Sequence, residues 1–339
     1  MKNACVVGYG AIGPIHVSAI KKCEYASLYG ICDNNPEKLN LAKKECDCAV
    51  FSDFNEMLKD ENIDVVHICT PHYLHKDMAV AALRSGKDVV LEKPLTLNKE
   101  QLRELCELKT DKKICAMLQN RTNQSVVTLK NIIDNDKSIG KLIGISAFLT
   151  WQRTPEYYNA DEWRGKWKTE GGGLLINQAV HTLDLVDWLG GGIKSIKASI
   201  STKKLGDVIE VEDTADALLE MNNGAGGLFY ASNAYTNSTP PRVELNFENV
   251  TFRYADERLY KITNDNVSII EQDNNIPEGK QYWGCGHKKV INEFYKVLSG
   301  EKGSYITLED AIHVMKVLFA FYESGKNNSN KIFIEDINL

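Results

Sequence analysis

No apolar run in this chain approaches the roughly 18 residues that a membrane-spanning helix requires. The opening MKNACVVGYG has too short an apolar core for a secretory signal, so a cytoplasmic location is expected, with no membrane partner. Basic charge is not in excess: 40 Lys and Arg stand against 46 Asp and Glu, a formal net charge of −6, which argues against nucleic acid as a partner. There is no C-x-x-C pair, and Cys46 with Cys48 forms a lone C-x-C without a nearby histidine, so no metal site is expected. The nine cysteines are odd in number, and several lie in apolar runs such as VVHICT and KICAML. That is the pattern of buried reduced thiols rather than of a disulfide framework. Internal repeats, low-complexity segments and a Pro/Gly-rich linker are all missing.

What is present points to an α/β protein. At 339 residues the chain exceeds the length at which one hydrophobic core stops growing, so two domains are expected. The first 120 residues alternate short apolar runs with helix-period segments, the mark of parallel strands joined by crossover helices. The spacing predicts strands at 2–8, 26–32, 64–69, 87–91 and 113–118, and helices at 11–23, 36–46, 74–85 and 98–110, the last opening on Asn98 as a cap. Beyond 120 the pattern changes. Helices are expected at 123–135 and 173–189, then strands at 193–202, 242–248, 250–255 and 258–263, with a hairpin at Asn223-Gly224. Helices near 287–298 and 308–323 close the chain. The change of pattern alone sets the expected division, with 1–120 as one domain and 121–339 as a second with a mostly antiparallel sheet.

The stretch VVGYGAIGPIH places Gly8, Gly10 and Gly13 after a strand and before a helix, with Ile12 in the loop beside them. In that context the first glycine permits a tight turn, the second lets a pyrophosphate approach, and the third allows helix to pack on strand. Asp33, twenty residues beyond Gly13, is placed to accept hydrogen bonds from both ribose hydroxyls of NAD and to repel the 2′-phosphate of NADP. Asn34 and Asn35 bring no positive charge, so NAD is expected over NADP. Asp33 as a mere N-cap of the helix near Pro36 is the competing reading.

In an open parallel sheet, ligands bind beyond the carboxyl ends of the strands, which singles out TPHYLH at 70–75 and LEKPL at 91–95. An ammonium at Lys93 can polarise a substrate hydroxyl as hydride leaves, although a lysine before proline can equally be a solvated loop residue. Further on, EGGGLLINQAVHTLDLVDWLG puts Asn177 and His181 four residues apart on one helix face, with Asp184 three further. A helical histidine is commonly structural. Glycines 171–173 at the helix start nevertheless suggest close approach of a ligand to the backbone, so His181 is a candidate proton acceptor and Asn177 a candidate orienter of the substrate.

Taken together, the motifs resemble those of the glucose-fructose oxidoreductase, inositol dehydrogenase and rhizopine-catabolism (Gfo/Idh/MocA) family. The match includes GYGAIG, TPHYLH, EKP, WRGKWKTEGGGLLINQAVHTLD, the NNGAGG hairpin, GCGH at 284–287 and LEDAIHVMKVLFAFYESGK. The resemblance implies a Rossmann domain followed by an α/β domain whose open sheet serves as an oligomer interface in homodimers or homotetramers. It implies that Lys93 is the catalytic lysine, that a cis peptide precedes Pro94, and that Asn177 and His181 bind substrate. It also implies that Thr70, Pro71 and His75 line the nicotinamide ribose, that Glu92 continues this wall, and that Gln119 and Arg121 approach the nicotinamide. Trp163 and Arg164 look like the pair that reaches the cofactor from the second domain, and His287 is left between facing substrate and capping its helix. Asn177 departs from the aspartate many members carry, which weakens a proton relay through that position.

The expected function is NAD-dependent oxidation of a secondary hydroxyl on a sugar, cyclitol or related polyol. Two alternatives stand beside it: glycoside cleavage through transient oxidation at C3, and a nucleotide-sensing regulator without turnover. A sensor has no physical need for Lys93 together with His181. The aromatic loop from Gln152 to Lys168 suits stacking on a sugar ring, or packing within the protein.

Overall fold

The computed structural model describes residues 1–264, 266–273 and 286–339. Cys285 and Gly284 of the GCGH motif lie outside the described residues; the other eight cysteines are free thiols. The chain divides after Gln119 into two compact units.

The first unit carries a six-stranded parallel sheet: β1 (Lys2–Val7), β2 (Ala26–Cys32), β3 (Ala49–Phe51), β4 (Val65–Ile68), β5 (Asp88–Leu91) and β6 (Ile114–Ala116), in the order β3-β2-β1-β4-β5-β6. The central strands are nearly continuous apolar runs because crossover helices cover a parallel sheet on both faces. Those helices are α1 (Gly13–Lys21), α2 (Pro36–Glu45), α3 (Phe54–Leu58), α4 (His75–Arg84) and α5 (Lys99–Cys106). Their starts follow local chemistry: the side chains of Asn35, Asp53 and Asn98 each accept backbone N–H groups as N-caps. Strand order reverses between β1 and β4, which makes the ends of those two strands the switch point where ligands bind in such sheets.

The second unit is built on a nine-stranded sheet. Its members are β7 (Leu142–Thr150), β8 (Ile193–Ser201), β9 (Thr214–Met221), β10 (Gly226–Ser232), β11 (Arg242–Phe247), β12 (Thr251–Ala255), β13 (Arg258–Thr263), β14 (Asn266–Gln272) and β15 (Ile332–Phe333). The order is β14-β13-β12-β11-β7-β10-β9-β8-β15, antiparallel except where β10 runs parallel to β7. The Asn223-Gly224 turn joins β9 to β10 as expected, with Gly224 at φ +85°. The helices of this part of the chain are α6 (Gln124–Asn135), the short α7 (Pro155–Asn159), α8 (Val180–Gly190), α9 (Gly286–Leu298) and α10 (Leu308–Lys326). One face of the sheet is covered: α6 packs on β12 to β14 and α8 on β7, β8 and β11, while Phe321 of α10 meets Phe229 of β10. The other face carries exposed Leu218 and Leu228, directly paired across β9 and β10.

The division is not a single cut. The first unit is Met1–Gln119 together with a later stretch ending at Ala311; the second is Asn120–Ile276 with Ile312–Leu339. The expected second domain of 121–339 therefore gives residues 286–311 to the first unit. The cause is packing: α9 lies against α1, and the Ala116 N–H of β6 donates to the Ile306 carbonyl. Among the described residues no helix is long and apolar enough to cross a membrane.

Candidate active site

The glycine loop is shaped by contacts that tolerate no side chain at two positions and leave room at the third. Gly8 sits at φ +92°, and a Cβ there would lie 2.6 Å from the Cys69 carbonyl oxygen at the end of β4. A Cβ on Gly13 would lie 2.3 Å from the Gly8 carbonyl oxygen. Above Gly10 the nearest atom is Lys38 Nζ at 3.9 Å, so a Cβ would fill open space over the loop. Ile12 precedes α1 without a side-chain cap, leaving the helix N-terminus to its backbone N–H groups. This is a cradle that fits a pyrophosphate.

Asp33 follows β2 and is buried. Its Oδ2 accepts the Tyr9 N–H at 2.7 Å and its Oδ1 the Asn35 N–H at 2.8 Å, so it ties the glycine loop to the end of the second strand. The cap of α2 is Asn35, not Asp33. Lys38, which composition near Asn34 did not suggest, brings an ammonium 3.9 Å from Asp33 Oδ2.

Lys93 follows β5, half-buried, and the peptide to Pro94 is cis. The Lys93 N–H donates to Glu92 Oε2 at 3.1 Å. Thr70 and Pro71 open the turn after β4. His75 reaches back to this turn: one ring nitrogen lies 2.8 Å from the Thr70 carbonyl and the other 2.7 Å from the Pro94 carbonyl. Burial lowers its pKa and favours the neutral ring, which can donate to only one of these carbonyls at a time. The polar atoms of His75 thus face backbone, and it serves the strand ends by holding two turns together.

Behind Lys93 lies a buried chain that sequence reasoning missed. His16 Nε2 is 3.0 Å from Glu92 Oε1, His16 Nδ1 is 2.9 Å from His67 Nδ1, and His67 Nε2 is 2.7 Å from the Tyr295 hydroxyl. Burial raises the Glu92 carboxyl, but its bonds to His16 and His287 outweigh this and hold it well below the usual range; burial also keeps His16 and His67 neutral. With Glu92 ionised, one proton order satisfies the chain: Tyr295 O–H donates to His67, His67 Nδ1–H to His16, and His16 Nε2–H to Glu92. His287, the second residue of α9, turns its Nε2 to Glu92 Oε1 at 3.5 Å. His16, Glu92 and His287 each bring one potential ligand atom within 4.8 Å of the others.

In the second unit the expected regular helix begins differently. Residues Leu175–Ala179 form a π-helical turn and the α-helix starts at Val180, so Asn177 and His181 straddle the junction rather than stacking on one α-helical face. Two of the three glycines are approached by protein. A Cβ on Gly172 would meet the Tyr322 hydroxyl at 2.0 Å, and one on Gly173 the Glu212 carbonyl oxygen at 2.1 Å. Glu212, fully buried, accepts the N–H groups of Gly173 and Leu175 and the Tyr322 hydroxyl. The expectation of a ligand against the backbone is corrected accordingly at Gly172 and Gly173.

Asn177 donates through Nδ2 to the buried carboxylate of Glu170. His181 is half-buried on α8. Asp184 does not share their surroundings: it is fully buried in a bidentate pair with Arg121, whose Nε lies 2.9 Å from Oδ2. Arg121 also lies over the Trp188 ring. Gln119 begins the 3₁₀ turn Gln119–Thr122 and is buried. Arg164 stacks on Trp163 and Tyr157, with its centre 4.4 and 4.6 Å from the two rings, and bonds Asp161 and the Tyr157 hydroxyl. In the same aromatic loop, Tyr158 packs with Leu205, Ile209 and Val211.

Fold and loop define the class: an oxidoreductase with an NAD-binding Rossmann domain. The chain belongs to the Gfo/Idh/MocA family. The family description "Oxidoreductase family, NAD-binding Rossmann fold" matches residues 2–120, and "GFO/IDH/MocA C-terminal domain" matches residues 126–253. It is 27% identical over 252 residues to myo-inositol 2-dehydrogenase of Thermotoga maritima, covering 71% of each chain. It is 30% identical over 195 residues to 2,7-anhydro-N-acetylneuraminate hydratase of Mediterraneibacter gnavus, covering 55% of this chain and 50% of the relative. The WlbA dehydrogenase of Bordetella pertussis, solved with NADH and UDP-GlcNAcA, superposes with a TM-score of 0.85 at 28% identity, over 98% of this chain and 97% of that one. The protein is a dehydrogenase acting on CH–OH groups, with NAD as cofactor.

Proposed function

We propose that this enzyme oxidises a secondary hydroxyl of a sugar, cyclitol or related polyol, with NAD preferred over NADP. The observation that carries the reading is Lys93, set directly after β5 with its backbone seated on the buried Glu92 carboxylate, in the unit that holds the glycine cradle. Gly8, Gly10, Ile12 and Gly13 would hold the pyrophosphate and Asp33 the ribose hydroxyls. Thr70, Pro71, Glu92 and Gln119 would line the nicotinamide end, with His75 fixing the turns and Trp163 and Arg164 contributed by the second unit.

When bound, NAD supplies the acceptor for the hydride that leaves the carbinol carbon. Lys93 polarises the substrate hydroxyl, His181 takes its proton, and Asn177 orients the ring. The Asp33 carboxylate, bonded to Tyr9 and Asn35, favours free ribose hydroxyls. Lys38 moderates that preference because its ammonium partly offsets the charge a 2′-phosphate would meet. The exposed, paired Leu218 and Leu228 on the uncovered sheet face support assembly into a homodimer or homotetramer.

The test follows nicotinamide absorbance with NAD or NADP against a panel of sugars, cyclitols, sugar acids and glycosides, with Lys93→Ala as control. Lysine-dependent reduction of NAD by one substrate is the expected result; faster reduction of NADP overturns the role given to Asp33. The resemblance to a hydratase favours one second reading, in which oxidation is transient and no reduced cofactor accumulates. Product formation without net absorbance change would select it.

A further inference from the structure

The buried chain behind Lys93 has a direction. Its members, all in the first unit, are the Tyr295 hydroxyl on α9, His67 on β4, His16 in the first turn of α1 and Glu92 just past β5. Their successive contacts are 2.7, 2.9 and 3.0 Å. Glu92 Oε1 takes the His16 bond, with His287 Nε2 farther off at 3.5 Å, and Glu92 Oε2 takes the Lys93 N–H at 3.1 Å. A carboxylate only accepts, so His16 Nε2 carries its proton and His16 Nδ1 is an acceptor; His67 Nδ1 must then carry a proton, and His67 Nε2 accepts from Tyr295. Burial keeps both rings neutral and the phenol protonated, which leaves no spare proton to reverse the order.

The chain therefore ends on one N–H of fixed direction, delivered to the carboxylate on which the Lys93 backbone is seated. His67 holds the His16 ring from behind, so that its Nε2 stays aimed at Glu92. We propose that His16 is a positioning residue for the reaction: through Glu92 it fixes the start of the Lys93 turn, and His67 with Tyr295 acts by fixing His16. The helix that opens at Gly13 then serves both the cofactor loop and the lysine. This rests on the reading that Lys93 polarises the substrate hydroxyl.

The imidazole nitrogens report the direction without any substrate. In the full-length protein at pH 7, nitrogen-15 ring shifts, assigned by the signals that the variants lose, are expected to show His16 as the neutral Nε2–H tautomer and His67 as the neutral Nδ1–H tautomer. A cation on His16 Nε2, Glu92 and His287 would displace the His16 proton and reverse the order. A reversed order, or one equivalent of metal in the purified protein, therefore overturns the proposal. Turnover reports the consequence. With the best substrate of the panel, His16→Leu is expected to lower kcat about tenfold or more, while the Kd for NAD, read by calorimetry, stays within about threefold of wild type. His16→Gln, whose amide N–H replaces Nε2–H at Glu92, is expected to regain most of that loss. A role confined to packing would show in the unfolding midpoint and would not lower kcat while sparing NAD affinity.

Thermal midpoints report whether each variant folds. Should His16→Leu not fold, the double variant His67→Leu/Tyr295→Phe decides, because it replaces both outer members with apolar side chains. It is expected to lower kcat about threefold or more at unchanged NAD affinity, and a wild-type kcat there overturns the proposal. A kcat near wild type in a folded His16→Leu, or a His16→Gln no better than His16→Leu, overturns it too. If the wild type reduces NAD with no member of the panel, the role given to Lys93 falls and takes this inference with it. If the wild type turns over and the variants keep its kcat, the inference falls alone.

Discussion

At the scale of single residues, the cofactor loop separates positions that shape the fold from one that leaves space. Gly8→Ala forces a Cβ to within 2.6 Å of the Cys69 carbonyl at a positive φ, and is expected to cost about 3 kcal/mol, read as a lowered unfolding midpoint. Gly10→Ala meets nothing closer than 3.9 Å. It is expected to unfold within a few degrees of wild type while NAD affinity, measured by calorimetry or cofactor fluorescence, falls about tenfold or more. Loss of stability at Gly10, or full NAD affinity there, would contradict the cradle. The same contrast explains what the sequence made legible. Gly8, Gly10, Gly13 and Lys93 announce themselves because motif and strand end are contiguous in the chain. Glycines 171–173 look like another ligand loop for the same reason, yet Gly172 and Gly173 answer to Tyr322 and Glu212, which lie far along the chain, and no local pattern reveals such partners. His67 carried a signal that went unread: a titratable ring inside the apolar run VVHIC needs partners, and His16 and Tyr295 are those partners.

At the scale of elements, the long periodic helices and the central parallel strands were readable, and short or edge pieces were not. β3 and α3 have three and five residues, too few for a period to register. β7 is different. It is nine residues long, with Ile145, Ala147 and Leu149 buried and Ser146 and Phe148 on the half-exposed face, but a glycine and small residues blur the alternation. The π-helical turn at Leu175–Ala179 has no sequence signature of that kind, and it moves Asn177 relative to His181 from the spacing an α-helix predicts. Element geometry also makes the assembly testable. Because Leu218 and Leu228 are cross-strand partners on the uncovered face, Leu218→Lys with Leu228→Lys places two like charges opposite one another in the surface assigned to assembly. Light scattering after gel filtration should show a smaller species than wild type at equal concentration; an unchanged mass would remove this face from the interface.

At the scale of the whole molecule, the two units respond to acid in opposite senses. In the first unit His16, His67 and His75 have folded pKa values lowered by burial, so their contribution is present above their ordinary value of 6.5 and is lost as pH falls below it. In the second, burial raises Glu170 to about 7 and raises Asp184 and Glu212 as well. A raised carboxyl contributes stability that is full below its unfolded value and is lost as pH rises through the folded one. His313, raised by its bond to Asp187, has the same sign. Taking the protein from pH 7.5 to 5.5 should therefore reduce hydrogen-exchange protection in β1, β4 and β5, while β7 and β10 hold or gain protection after correction for intrinsic rates. Parallel losses in both sheets would refute this assignment.

The return of α9 to α1 bears on how the protein is made. A ribosome releases β1 to β6 first, yet the helix that covers α1 and the carbonyl that pairs with β6 emerge only after the whole second sheet, save its last short strand, has been synthesised. The nascent Rossmann strands must wait, with one helix uncovered and an edge unpaired, for a segment at the far end of the message. A chain ending at residue 120 is accordingly expected to be soluble poorly or not at all and to bind NAD weakly, and co-expression with a fragment spanning residues 277–311 should rescue it. If the short chain folds and binds NAD as the full protein does, synthesis need not wait for its ending.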